Sequence, residues 1–143
     1  MRFVLLTLAL ALTAFAGTSA WDARLAASED RQAVLDTIEA FYIGDHTGSL
    51  EHKRASMHPQ GAYRYVDRNG DYREGTFRFE EGGADTLYTE ELLSVEIYEH
   101  VALARLRLDN QTRDVPEYKL MTLHKANDRW LITTIAWGWG ITH

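Results

Sequence analysis

The order of elements in the chain predicts an α+β fold, a cone-shaped, curved mixed or antiparallel sheet wrapped around N-terminal helices. Val34, Ile38, Phe41 and Tyr42 recur at i, i+4, i+7 and i+8, the spacing of an amphipathic helix. Everything after them reads as strand. Glu117 to Lys125 and Arg129 to Trp139 form two long strands around the turn Ala126-Asn127-Asp128, and a second hairpin, Leu92 to Glu99 with Val101 to Leu108, precedes them. Helices first and antiparallel hairpins last leave a curved sheet to close on the helices, with room for an interior pocket.

Residues 1–20 carry Arg2, an apolar run from Phe3 to Ala16, no acidic residue, and small side chains at Thr18 and Ala20. This is the pattern of an export signal cut after Ala20, which makes residues 21–143 a single domain that is exported, periplasmic or secreted. The apolar run of about 12 to 14 residues falls short of the roughly 20 needed to span a bilayer, so no membrane attachment is expected after cleavage.

Ser28 is the expected N-cap of the first helix, with Glu29 and Asp30 where the helix dipole favours negative charge, and Gly44 is its expected end. Asp45-His46-Thr47-Gly48 then reads as a loop, Ser49 caps a second helix through Met57, and Pro59 drives His58 out of helical dihedrals at a corner. Tyr63 to Asp67 and Tyr72 to Glu74 pair across Asn69-Gly70. Gly75 to Asp85 fits a strand or a short helix and loop equally well.

The 143-residue chain has a formal charge of −6 at pH 7 and no cysteine. Its basic residues are scattered rather than gathered into a stripe, which argues against nucleic acid and anionic membranes as partners. Absence of cysteine excludes disulfides, thiolate metal sites and lipid attachment at an N-terminal Cys. His46, His52 and His58 are spaced by six, which turns about 240° around a helix, so they share no metal-binding face and no metal is expected. No phosphate-binding glycine loop or nucleophile elbow is present, and no cofactor is expected.

Phe41-Tyr42, Gly44-Asp45, the corner Met57-His58-Pro59, Val101-Ala102-Leu103-Ala104 and the run from Leu120 through Asn127-Asp128 to Trp130-Leu131-Ile132 together resemble the nuclear transport factor 2-like superfamily, over about Arg31 to Trp137. Within it they look most like the lumazine-binding branch. Thr133-Thr134-Ile135 stands where that branch often carries a lysine, and Met57 stands where it usually has Phe. The resemblance implies a cone-shaped, cystatin-like α+β barrel, often a dimer through the outer sheet face. It also implies a fold that hosts both binding proteins and enzymes such as SnoaL-like cyclases, dehydratases and ketosteroid isomerase. No position matches that isomerase's carboxylate base and oxyanion donors closely enough to transfer them.

Two functional readings follow. In the first, a small apolar or aromatic molecule binds in a pocket lined by Tyr42, Met57, His58, Tyr63, Tyr118 and Trp137, the rings supplying contact area and the polar tips orientation, in a homodimer. In the second, drawn from the titratable set Asp45, His46 and His58, His58 is a catalytic base oriented by Asp45, and a tyrosine hydroxyl stabilises an enolate in a cofactor-free isomerase, cyclase or dehydratase. The apolar groups on both faces of the last strands also admit a purely structural or assembly domain.

Overall fold

The computed structural model describes residues 18–67, 69–83, 88–110 and 115–140. Residues 1–17, most of the expected export signal, lie outside them, and the expected cut after Ala20 falls within the first helix. The chain forms two compact units, one up to Asp30 and one from Arg31 onward. The described part of the first is helical.

The elements are α1 (Thr18–Thr47), α2 (Leu50–Ser56), β1 (Met57–Val66), β2 (Tyr72–Thr76), β3 (Tyr88–Tyr98), β4 (Val101–Asn110), β5 (Glu117–Ala126) and β6 (Arg129–Trp139). Ser28 is therefore interior to α1 rather than its cap. The preceding Ala23-Arg24-Leu25-Ala26-Ala27 is a run of strong helix formers with nothing to stop it. The helix also runs through Asp45-His46-Thr47, which the sequence assigns to a loop. It stops one residue later at Gly48, whose φ of +74° suits a glycine cap and whose N–H donates to Gly44 O at 3.0 Å. A side chain at Gly48 would also meet Gly82 backbone at 2.7 Å, so this turn and the connection after β2 touch through glycines. The Lys53 ammonium holds the same connection by donating to Glu80 O and Gly82 O at 2.8 and 2.6 Å.

Ser49 caps α2 as expected, its side chain accepting from His52 N. Met57 ends α2 and opens β1, so His58 is the second residue of a strand. The six strands form one sheet in the order β2-β1-β6-β5-β4-β3, all neighbours antiparallel except β1 with β6. Both expected hairpins and the Tyr63 to Glu74 strand pair are present. Asn127 and Asp128, at φ +50° and +58°, make a two-residue turn between β5 and β6, with Ala126 opposite Arg129. Tyr88 begins β3, four residues ahead of the expected Leu92. Of the stretch Gly75 to Asp85, Gly75 and Thr76 complete β2, residues 77–83 form no helix or strand, and Asp85 lies outside the described residues.

In the unit from Arg31 onward, the helices cover one face of a curved, open, mixed sheet. Val34, Ile38 and Phe41 are buried on α1 against Ala102, Ala104 and Leu106 of β4, Met121 and Leu123 of β5, and Ile132 and Ile135 of β6. Thr37 joins helix to sheet by donating to Trp130 O at 3.2 Å. The β1 register shifts between Met57 and Ala62, where Gly61 leaves space for the Phe77 ring that a Cβ would strike. Strand alternation leaves Leu103, Tyr118 and Leu120 exposed on the other face, where Arg105 pairs with Leu120 and Arg107 with Tyr118.

Candidate functional site

One α1 face and one sheet edge make the cavity. Because α1 continues past Gly44, Leu35, Ile38, Glu39, Tyr42, Ile43, His46 and Thr47 form a continuous stripe. Because β3 begins at Tyr88, Tyr88, Glu90 and Leu92 alternate onto the helix-facing side, and Leu92 lies opposite Leu106 of β4. Between them is a cavity of about 470 Å³, apolar at Leu35, Ile38, Ile43, Leu92 and Leu106 and polar at Tyr42, His46, Thr47 and Glu90.

The polar end is tightly connected. His46 Nε2 and Glu90 Oε1 are 3.0 Å apart, and the His46 ring lies over the Tyr88 ring at 4.4 Å. The Tyr88 hydroxyl donates to Asp45 Oδ2. Lys119 of β5 places its ammonium 5.5 Å from the Phe41 ring centre and 5.4 Å from that of Tyr88. The Tyr42 hydroxyl is buried and, among the described residues, has no hydrogen-bond partner.

These environments set the proton affinities. Burial pushes the Glu90 carboxyl from 4.5 up to about 7, assisted by the Asp45 charge and opposed by His46 and Lys119. Burial also raises the Tyr42 phenol far above its ordinary value, helped by the charges of Glu90, Asp45 and Glu117. Tyr88 is raised by burial and by its hydrogen bond to Asp45, so both phenols keep their protons at neutral pH. The site therefore offers one carboxyl able to exchange a proton near neutrality beside a phenol whose hydrogen bond is unused.

Of the residues expected to line a pocket, Tyr42 lines this cavity. The expected Asp45–His58 dyad is not formed: Asp45 accepts from Tyr88, while His58 Nδ1 accepts from Gln60 N at 3.1 Å within the start of β1. Met57, Tyr63 and Trp137 do gather, but in the core away from the cavity wall. The Tyr63 hydroxyl meets Met57 Sδ at 4.0 Å, and the Tyr63 and Trp137 rings meet edge to face at 5.5 Å. Burial and the Asp45 charge raise the Tyr63 phenol to about 12. Tyr118 lies on the opposite sheet face, because Lys119, Met121 and Leu123 take the inward positions of β5. Glu90, Tyr88 and Lys119 are not expected in a site from the sequence, and His46 is singled out there only beside Asp45 and His58. The signals for them are the alternation Tyr88, Glu90, Leu92 and the i+4 step from Tyr42 to His46.

No family model and no curated protein matches the sequence. Solved structures do, and they show the fold to be nuclear transport factor 2-like. An NTF2-like protein of unknown function from Shewanella baltica OS155 is 12% identical over 80% of this chain and 97% of its own, with a TM-score of 0.68. Another, from Methylobacillus flagellatus KT, is 16% identical over 79% and 94%, with a TM-score of 0.64. A proposed ketosteroid isomerase from Shewanella frigidimarina NCIMB 400 is 15% identical over 74% and 94%, with a TM-score of 0.56.

Proposed function

We propose that this chain is an exported small-molecule-binding protein whose ligand, a compact and largely apolar or aromatic compound with one polar end, occupies the cavity between α1 and β3–β4. The observation that carries this reading is the pairing of an apolar wall with a buried, unpartnered Tyr42 hydroxyl. A buried phenol without a partner loses about 1–3 kcal/mol, which a hydrogen bond with the ligand's polar end would restore. The volume of about 470 Å³ lies in the range of small-ligand sites. Export rests on the composition of residues 1–20, and association as a homodimer on the exposed outer-face residues Leu103, Tyr118 and Leu120.

The test is a thermal-shift screen of the purified protein against pterins, flavins, quinones, steroids and small aromatic alcohols and amines, with native mass spectrometry for retained ligand and subunit number. The reading expects at least one saturable stabiliser that loses its effect in Tyr42→Phe, and it fails if none stabilises the protein.

Glu90 favours a second reading, an acid/base enzyme. A carboxyl near 7 is suited to moving a proton at neutral pH, and the Tyr42 hydroxyl is placed to donate to a developing oxyanion. The likeness to a proposed ketosteroid isomerase supports this class of chemistry. In this reading Glu90 takes the role that the sequence assigns to His58. Exchange of α-hydrogens of a bound ketone, measured in deuterated water and lost in Glu90→Gln, tests it.

A further inference from the structure

The charges around the cavity are unequal. Among the described residues its wall holds two carboxyl groups, Glu39 and Glu90, and one imidazole, His46, with no lysine or arginine. Behind the wall stands Asp45, bonded to Tyr88, and the charges of Asp45, Glu90 and Glu117 all act on the Tyr42 hydroxyl. Among the described residues the basic groups facing Glu90 are His46, 3.0 Å away on α1, and Lys119 on β5, whose ammonium lies over the rings of Phe41 and Tyr88. The remaining groups on the helix-facing side near Glu90, among the described residues, are Glu39, Tyr42 and Asp45 from α1, Tyr88 from β3 and Glu117 from β5; β4 contributes Leu106 and Leu108, which carry no charge. Among the described residues acidic groups outnumber basic ones on every element that supplies charge except β5, where Glu117 and Lys119 balance.

An anionic ligand would enter against this field, while a neutral one would leave Glu90 partly desolvated and short of counter-charge. We propose that the cavity selects a protonated amine carried on an apolar body, with Glu90 as its counter-ion and the Tyr42 oxygen as a second acceptor. The body lies along Ile38, Leu92 and Leu106. The inference rests on the pocket reading above and adds to it the charge of the ligand.

Binding is coupled to pH. The Glu90 carboxyl, held near 7, must be ionised to pair with an ammonium, so binding an amine at neutral pH releases a proton and tightens as pH rises from 6 to 8.

Isothermal titration of the purified protein with 2-phenylethylamine, 2-phenylethanol and 3-phenylpropionate separates the possibilities. The amine is expected to bind at least about tenfold tighter than either competitor at pH 8, which corresponds to about 1.4 kcal/mol. Its advantage shrinks at pH 6, and titrations in buffers of different ionisation enthalpy show proton release from the wild-type protein at pH 7. Glu90→Gln is expected to abolish the amine's advantage over the alcohol. Alcohol or carboxylate binding as tight as the amine, absence of proton release, or undiminished amine binding by Glu90→Gln overturns the charge selection and leaves the pocket reading standing. No saturable binding of any of the three also overturns the charge selection, and the pocket reading falls with it only when the thermal-shift screen yields no stabiliser either.

Discussion

The Tyr88 hydroxyl donates its hydrogen bond to Asp45 Oδ2, tying the first residue of β3 to the last turn of α1. This bond fixes the separation of helix and sheet edge at the cavity's polar end, since Tyr42 and His46 flank Asp45 on the helix and Glu90 follows Tyr88 by one inward position. A hydrogen bond to a charged acceptor contributes about 1.5–3 kcal/mol. Tyr88→Phe, which keeps the ring contact with His46, is therefore expected to lower the urea-unfolding free energy by about 2 kcal/mol. An unchanged midpoint and slope would show that Asp45 is equally well served by water.

Glu90 makes stability fall as pH rises. Its carboxyl holds a proton up to about 7 in the folded chain against 4.5 when unfolded, so the folded state binds more protons between those values. Folding is favoured below that window, and the contribution is lost as pH rises through about 7. With its side chain only 14% exposed, Glu90 is expected to contribute a decline on the order of 2 kcal/mol between pH 4.5 and 7.5. Glu90→Gln is predicted to flatten this slope and raise stability at pH 8, both read from chemical unfolding at a series of pH values. A variant less stable than wild type at pH 8 would mean that its pairing with His46 outweighs its burial.

Gly61 is held by geometry rather than by chain flexibility. The Phe77 ring occupies the place of a side chain at Gly61, and Phe77 N donates to Gly61 O at 2.9 Å. Gly61→Ala is expected to destabilise by about 1–3 kcal/mol by forcing the ring out of the core. Gly75, which has no neighbour within 4 Å of its Cβ position, is the matched control in the same strand pair, and Gly75→Ala is expected to leave the melting temperature within a few degrees. Equal effects at the two positions would contradict the close approach.

The sheet was largely legible from sequence because its turns carry local chemistry. Asn127-Asp128 and Asn69-Gly70 mark hairpins by their tolerance of positive φ, and Gly48 with Ser49 marks the break between the helices. What misled were the ends of elements. Gly44 suggests a stop, yet it is buried where a Cβ would meet Lys53 N at 2.9 Å, and the helix continues through it to place His46 on the cavity wall. The start of β3 lies beside residues rich in Gly and Thr and carries Glu90 and Glu91, so its alternation is weak in sequence and clear only once paired with β4. Aromatic spacing identified Tyr63 and Trp137 as inward-facing, but could not separate a solid aromatic core from a cavity wall. For Tyr118 the choice between two alternating sets depended on Lys119, a half-buried lysine whose ammonium lies over aromatic rings of the inner face.

The central claim is that a ligand enters between α1 and β3–β4. Amide chemical-shift mapping of the isotope-labelled protein during titration with 2-phenylethylamine tests it most directly. The account predicts saturable shifts at Leu35, Tyr42, His46, Glu90 and Leu92, with Leu103 and Leu120 on the outer face unmoved. Shifts confined to the outer face, or none at saturating ligand, would contradict it.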